Sequence, residues 1–196
     1  CRVIARPFTG KPGNFMRTPW RKDFTIPPPE KTVLDHLTEK KIEVVSVGKV
    51  MDIFAGRGFS RGLKSTGNAD AMAKVGGLIV SLHEGLIFST LTDFDTLYGH
   101  RNNPEGFAKA LEDFDHEVSA LMEKLRDEDF LMITADHGCD PTTSGTDHSR
   151  EYVPVLLYAK SHRPRNLGLR KGFCDIGATI AQIFGIREFQ KGKSLL

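Results

Sequence analysis

No stretch of this chain reaches the roughly 18 uninterrupted apolar residues that crossing a bilayer takes, and no charged, apolar, small-residue leader opens it. A soluble cytoplasmic protein, with no membrane partner, is the expectation. Cysteine is scarce as well: Cys1, Cys139 and Cys174 are odd in number and widely spaced, so neither a disulfide framework nor a CxxC metal or redox motif is available. Free thiols are expected. Charge of one sign is also missing, since 27 Lys and Arg face 25 Asp and Glu for a net of +2, and no field argues for nucleic acid or a membrane surface. What remains is globular in character. With 39% hydrophobic and 27% charged residues over 196 positions, the chain is long enough for one domain or a large piece of a bigger one. It opens on Cys1-Arg2-Val3-Ile4-Ala5-Arg6, without Met and as if in mid-strand, and a truncated polypeptide is expected.

Residues 7–31 are rich in Pro, Gly and Arg up to the triple Pro27-Pro28-Pro29, which predicts a linker or extended arm with no regular element. From Glu30 the period changes. Val33, Leu34 and Leu37 mark a short helix, and Ile42 to Val47 is an apolar, β-branched run of strand length. Asn68 is placed to cap a second helix striped by Met72, Val75, Ile79 and Leu82, ended by Gly85 and weakened inside by Gly76-Gly77. A buried-type strand follows at Leu86 to Thr92. Asn103 as N-cap and Pro104 at the first position open the clearest helix, striped by Phe107, Leu111, Phe114, Val118, Leu121, Met122 and Leu125. Strands are predicted at Phe130 to Ile133 and Val153 to Tyr158, the second at an edge or beginning at Pro154, and a last helix carries Ile176, Ile180, Ile183 and Phe184. The alternation of doubly apolar strands with amphipathic helices predicts an α/β fold, a mostly parallel sheet covered by helices on both faces.

In such sheets functional groups collect past the carboxyl ends of the strands. Three of these loops each offer carboxylate and imidazole: Asp93-Phe94-Asp95-Thr96-Leu97-Tyr98-Gly99-His100, then Thr134-Ala135-Asp136-His137-Gly138, then Gly145-Thr146-Asp147-His148. Oxygen and imidazole donors without a thiolate cluster suit Mn²⁺, Zn²⁺ or Fe²⁺. Asp93 reads slightly better as a cap than as a group orienting a ligand, and His36, His83, His116 and His162 read as surface residues. The glycine-rich run from Gly56 to Thr66 imitates a phosphate loop but fits neither GxGxxG nor GxxxxGK[ST], so a mobile turn is predicted there. Arg2, Arg6, Arg17, Arg21, Lys22 and Trp20 are too few and unpatterned for RNA. A grip on a phosphate monoester and a solvated arm both remain open for them.

The Asp-His-Gly segment at 136–138, joined to Asp95-Thr96-Leu97-Tyr98-Gly99-His100 and Gly145-Thr146-Asp147-His148-Ser149-Arg150-Glu151-Tyr152-Val153-Pro154, resembles the alkaline phosphatase superfamily. Within it, the latter two segments and Arg2-Val3-Ile4-Ala5-Arg6-Pro7-Phe8 resemble the bacterial phosphopentomutases, and the resemblance covers essentially the whole chain. It implies an enzyme that interconverts the 1-phosphate and 5-phosphate of ribose or deoxyribose, an isomerase with a phosphorylated threonine, two Mn²⁺ or other divalent ions, and a sugar bisphosphate activator. By the same resemblance Asp95, His100 and His148 are the ligands of one ion and Asp136 and His137 of the other, while Arg2, Arg17 and Lys49 match groups that hold substrate phosphate. The nucleophilic threonine and the Asp that completes the second site have no counterpart here. Ser60, Ser65, Thr66 and Thr96 do not stand in the nucleophile's context. The expected organisation is therefore residues 1–27 as a remnant of a cap domain and its return to the core, and 28–196 as the C-terminal part of the metal-binding core. The partners implied are pentose phosphates and the missing N-terminal half, and the chain alone is expected to be inactive. Alternatives are another metal-dependent phosphatase or phosphoglycerate mutase of the superfamily, and a non-catalytic fragment.

Overall fold

The computed structural model describes residues 2–18 and 22–196, the side chains of Arg2, Arg17 and Asp23 excepted. The chain divides into two compact units, one of residues 1–63, 84–88 and 169–196, the other of residues 64–83 and 89–168.

The first unit is built on β5 (Glu43–Val47), whose Val44, Val45, Ser46 and Val47 are all fully buried. An apolar run of this kind has to be covered at its edges and faces, and neighbouring strands and helices supply that cover. Strand β6 (Arg61–Leu63) pairs with it in parallel, Val45 opposite Arg61 and Val47 opposite Leu63, and β7 (Gly85–Ser89) takes its other edge. Helices α1 (Val33–Glu39) and α2 (Val50–Ile53) lie against β5, and α5 (Cys174–Ile183) against α1. Val33, Leu34, Leu37, Val50, Ile180 and Leu195 close the core, each contributing about 1.5–3 kcal/mol by leaving water.

Three expectations are corrected in this unit. Residues 7–31 contain three strands: β2 (Phe8–Lys11) and β3 (Asn14–Arg17) form an antiparallel hairpin, and β4 (Lys22–Thr25) pairs antiparallel with β1 (Arg2–Ala5). Pro12 and Gly13, read as breakers, are the two residues of the hairpin's turn, Gly13 at φ +86° as a turn after proline requires. The glycine-rich run at 56–66 is not a mobile turn, because it contains β6 and because Arg57 is clamped. Its guanidinium bonds Asp35 Oδ1 at 2.8 Å and the carbonyls of Pro28 and Glu30, each at 2.6 Å. Asp35 in turn closes a capping box with Thr32 at the start of α1. His36, expected on the surface, is half-buried with its ring edge-on to Phe189.

The second unit holds α3 (Asn68–Ser81), α4 (Pro104–Lys124), β8 (Leu131–Thr134) and β9 (Val155–Tyr158). Asn103 caps α4 by accepting from the Gly106 amide at 2.9 Å, with Pro104 first in the helix. Asn68 is not the cap of α3 but its first residue; the free amide there is satisfied by Asp93, whose Oδ2 accepts from Asn68 N at 2.7 Å while its own amide donates to Asn68 Oδ1 at 3.0 Å. Asp93 is thus a cap supplied from another loop. Gly85 does not end this helix but opens β7. β8 and β9 are antiparallel, Leu131 opposite Tyr158 and Thr134 opposite Val155, with Pro154 just before β9. No helix among the described residues is long and apolar enough to cross a membrane.

Burial would raise the Asp35 carboxyl, but the Arg57 guanidinium and the Thr32 amide and hydroxyl outweigh it and hold the group below its ordinary value of 3.8. A depressed carboxylate contributes stability above that value and loses it as pH falls through the folded one. Arg57→Ala is therefore expected to cost about 1–3 kcal/mol at neutral pH, a deficit that shrinks below pH 3.8. Urea unfolding of both proteins at the two pH values measures it, and an equal deficit at both would show that Asp35 is not the partner that matters.

Candidate metal centre

Past β7 the chain winds through a π-helical turn, Phe94–Tyr98, directly into a 3₁₀ turn, Gly99–Arg101. The winding changes from π to 3₁₀ between Asp95 and His100. Asp95 and His100 are five apart. Asp95 Oδ1 lies 3.3 Å from His100 Nε2. The stretch ends at Asn102 in the left-handed region, φ +48°, and Asn102 Nδ2 donates to the Thr143 carbonyl at 3.0 Å.

The loops after β8 and before β9 are joined by an antiparallel bridge between Gly138 and Ser149, with Ser149 N donating to Gly138 O at 3.1 Å. A Cβ at position 138 would stand 2.6 Å from the Ser149 carbonyl oxygen and 2.7 Å from Glu151 Cβ, so only glycine permits the approach. Asp140 N donates to Ser149 Oγ at 2.9 Å and tightens the join. His137 and His148, one residue before each end of the bridge, then stack with ring centroids 3.5 Å apart and planes 18° from parallel. His148 Nε2 lies 3.1 Å from Asp95 Oδ1 and stacks on His100 at 5.0 Å.

Asp95, His100, His137 and His148, drawn from three separate loops, therefore come together. Asp136 lies at the margin of the cluster, its carboxylate 79% exposed and its Oδ2 3.6 Å from His137 Nε2. Arg2 and Arg17 belong to β1 and β3 of the first unit, their side chains lying outside the described residues, and Lys49 sits just before α2. Trp20 and Arg21 also lie outside the described residues.

The donor set has the chemistry of a divalent-metal site. His100 Nδ1 donates to the Thr146 carbonyl at 2.5 Å and His137 Nδ1 to the Gly138 carbonyl at 3.1 Å. A ring whose Nδ1 carries the proton has its lone pair on Nε2; that of His100 stands 3.3 Å from Asp95 Oδ1 and that of His137 3.6 Å from Asp136 Oδ2. Two overlapping triads result, Asp95–His137–His148 and Asp95–His100–Cys139, each with its ligand atoms within 4.8 Å of one another. Cys139 is the member that sequence reasoning passed over. Burial, with the carboxylates of Asp95 and Asp140, pushes its thiol up from the usual value. The available signal was its place two residues after His137 in the same strand-end loop.

Gly138→Ala is expected to break the bridge, and hydrogen exchange at the Ser149 and Asp140 amides should quicken on the order of 10-fold or more, as loss of about 1.4 kcal/mol or more of local protection implies. Unchanged exchange at both would mean that the loops are held together by something else.

Known proteins bear on what such a centre belongs to. The model of the Metalloenzyme superfamily matches residues 9–188. Curated phosphopentomutases of Desulfitobacterium hafniense and Dictyoglomus thermophilum are each 53% identical, over 196 and 197 residues, covering 100% of this chain and 50% of the relative. That of Carboxydothermus hydrogenoformans is 54% identical over 186 residues, 94% of this chain and 48% of the relative. The chain spans about half the length of the curated relatives it matches. A solved structure of a Pyrococcus horikoshii protein is similar in fold alone, with a TM-score of 0.52 at 20% identity over 63% of this chain and 34% of that one. With its α/β fold, its clustered carboxylate and imidazoles and a family match over most of its length, the chain belongs to the Metalloenzyme superfamily.

Proposed function

We propose that these 196 residues form part of a phosphopentomutase, an isomerase that moves a phosphoryl group between the 1 and 5 positions of ribose or deoxyribose, and that they supply most of its metal centre. The observation that carries this reading is the meeting of Asp95, His100, His137 and His148, in a chain about half identical to proteins of that name. Asp95, His100 and His148 hold one ion; Asp136 and His137 contribute to a second. His137, assigned to one ion, stacks on His148, assigned to the other, so the donors of the two sites lie side by side. When bound, such ions polarise the phosphoryl oxygens and neutralise charge on the attacking and leaving oxygens.

The chain's own residues do the rest of the positioning. Thr146 and Gly138, through their carbonyls, keep His100 and His137 in the tautomer that offers Nε2. Arg2, Arg17 and Lys49 grip the substrate phosphate, the two guanidinium groups by bidentate pairing. The nucleophile is a threonine outside these 196 residues, and the chain alone is inactive. Thr96, next to Asp95 in sequence, is committed to the Thr92 carbonyl at 2.8 Å, which supports leaving it out of that role. The same reading brings manganese as the ion, a sugar bisphosphate as activator and the cytoplasm as the place of action. Residues 1–27 belong to a cap domain and its return, and 28–196 to the metal-binding core.

The test uses the full-length protein with saturating Mn²⁺. His148→Ala and Asp95→Asn are both expected to lower turnover of ribose 5-phosphate by orders of magnitude, Asp95→Asn the more severely because both triads use Asp95. Near-normal turnover in either variant sinks the ligand assignment. Turnover of phosphoglycerate, but not of pentose phosphate, by the unaltered protein would sink the substrate.

A further inference from the structure

Cys139 has no part in the function proposed above, yet its sulfur reaches the same carboxylate. With Asp95 and His100 it forms a triad whose ligand atoms lie within 4.8 Å of one another, drawn from the turns after β7 and the loop after β8. The sulfur's place is built into the neighbouring backbone. Gly99 is buried at φ −60°, ψ −61°, a conformation open to every residue, so the backbone does not require glycine there. Space does. A Cβ on Gly99 would stand 2.2 Å from Cys139 Sγ and 3.3 Å from Cys139 Cβ. The glycine between Tyr98 and His100 leaves room for the thiol beside the ligand that follows it, while His100 Nδ1, engaged by the Thr146 carbonyl, leaves Nε2 free toward Asp95.

We propose that Asp95, His100 and Cys139 form a second, thiolate-containing mode of metal binding at this centre, selective for zinc-class ions and exclusive of the oxygen-and-imidazole mode because both need Asp95. The inference rests on the metal centre proposed above. One sulfur, one imidazole nitrogen and one carboxylate oxygen are three protein ligands typical of zinc, with room for a fourth. Thiolate discriminates strongly in favour of Zn²⁺ and Co²⁺ over Mn²⁺, which lies at the weak end of the divalent affinity order and prefers oxygen. On binding, the thiol proton passes to solvent, the sulfur lone pair forms the bond to the ion, and one water leaves the ion; no electron is transferred. The consequence is metal choice by trapping. A zinc-class ion held through Cys139 withdraws Asp95 from His148 and silences the centre, whereas a manganese-class ion has no use for the sulfur.

Cobalt is the probe, because a sulfur ligand gives Co²⁺ a near-ultraviolet charge-transfer band that oxygen and nitrogen ligands do not. The full-length protein with one equivalent of Co²⁺ is expected to show that band, Cys139→Ser to lack it, and Gly99→Ala, which pushes the sulfur aside, to lose most of it; Cys174, retained throughout, controls for other thiols. In the second arm, Zn²⁺ is titrated against the Mn²⁺-loaded protein and free Mn²⁺ is followed by electron paramagnetic resonance. Displacement is expected at Zn²⁺ concentrations on the order of 10-fold lower in the unaltered protein than in Cys139→Ser. Tight Co²⁺ binding without the band, or equal displacement midpoints, overturns the thiolate mode and leaves the metal centre standing. No binding of Co²⁺ or Mn²⁺ overturns both.

Discussion

One carboxylate oxygen, Asp95 Oδ1, meets imidazoles from two different loops, 3.3 Å from His100 and 3.1 Å from His148, and the arrangement of the strand-end segments follows from keeping it there. Asp95 is aimed by a π-turn that begins directly after Asp93, and Asp93 is itself pinned by its reciprocal bonds with Asn68 at the start of α3. The same helix-capping contact that removes an unsatisfied amide from α3 thus sets where the turn starts and which way its carboxylate points. On the far side, the Gly138–Ser149 bridge delivers His137 and His148 as a stacked pair. Capping, turn winding and a one-residue bridge are each worth only about 1 kcal/mol, and the centre needs all three because its donors lie on three separate segments.

How much of this could be read beforehand depended on whether an element's signal was local. Helix α4 carries its own cap, its own first-position proline and a full apolar stripe, and β5 carries an uninterrupted β-branched run; both formed where expected. The hairpin of β2 and β3 was misread because Pro12 and Gly13 mean opposite things in a linker and in a two-residue turn, and only the pairing of Phe8 with Arg17 and Lys11 with Asn14 decides between them. The run at 56–66 was misread for a related reason. Glycines suggest mobility until a distant contact removes it, here Arg57 reaching Asp35 and two carbonyls more than 20 residues away. Asn68 has the right chemistry for a cap, but a second carboxylate arriving from position 93 took the role.

The centre was legible in its ligands and opaque in its grouping. Strand-end loops rich in Asp and His announce themselves, and Asp95, His100, His137 and His148 do converge. The resemblance pairs His137 with Asp136, whose carboxylate is largely in solvent with Oδ2 3.6 Å from His137 Nε2, while the His137 ring also lies on His148, a neighbour that sequence order does not suggest. Cys139 escaped notice because a thiol is sought through pairs at CxxC spacing, and its partners are a carboxylate 44 residues before it and an imidazole in the 3₁₀ turn that follows the π-turn, a junction no propensity scale marks.

A charge-stabilising centre gains most where water is excluded, because the same pair of charges interacts several-fold more strongly at the effective dielectric of a protein surface or interior than in bulk water. Here the side chains of Asp95 and His137 are about one-third exposed and that of His148 nearly half, at 32%, 31% and 47%. Such a group can gather an ion, since coordination needs only converging donors. It is poorly placed to stabilise charge that develops during a reaction, which needs a dry, fixed environment around that ion. The residues described here therefore account for recruitment of metal far better than for the rate of any reaction. Any chemistry that needs such an environment depends on what closes over Asp95 and His148 as much as on these donors themselves.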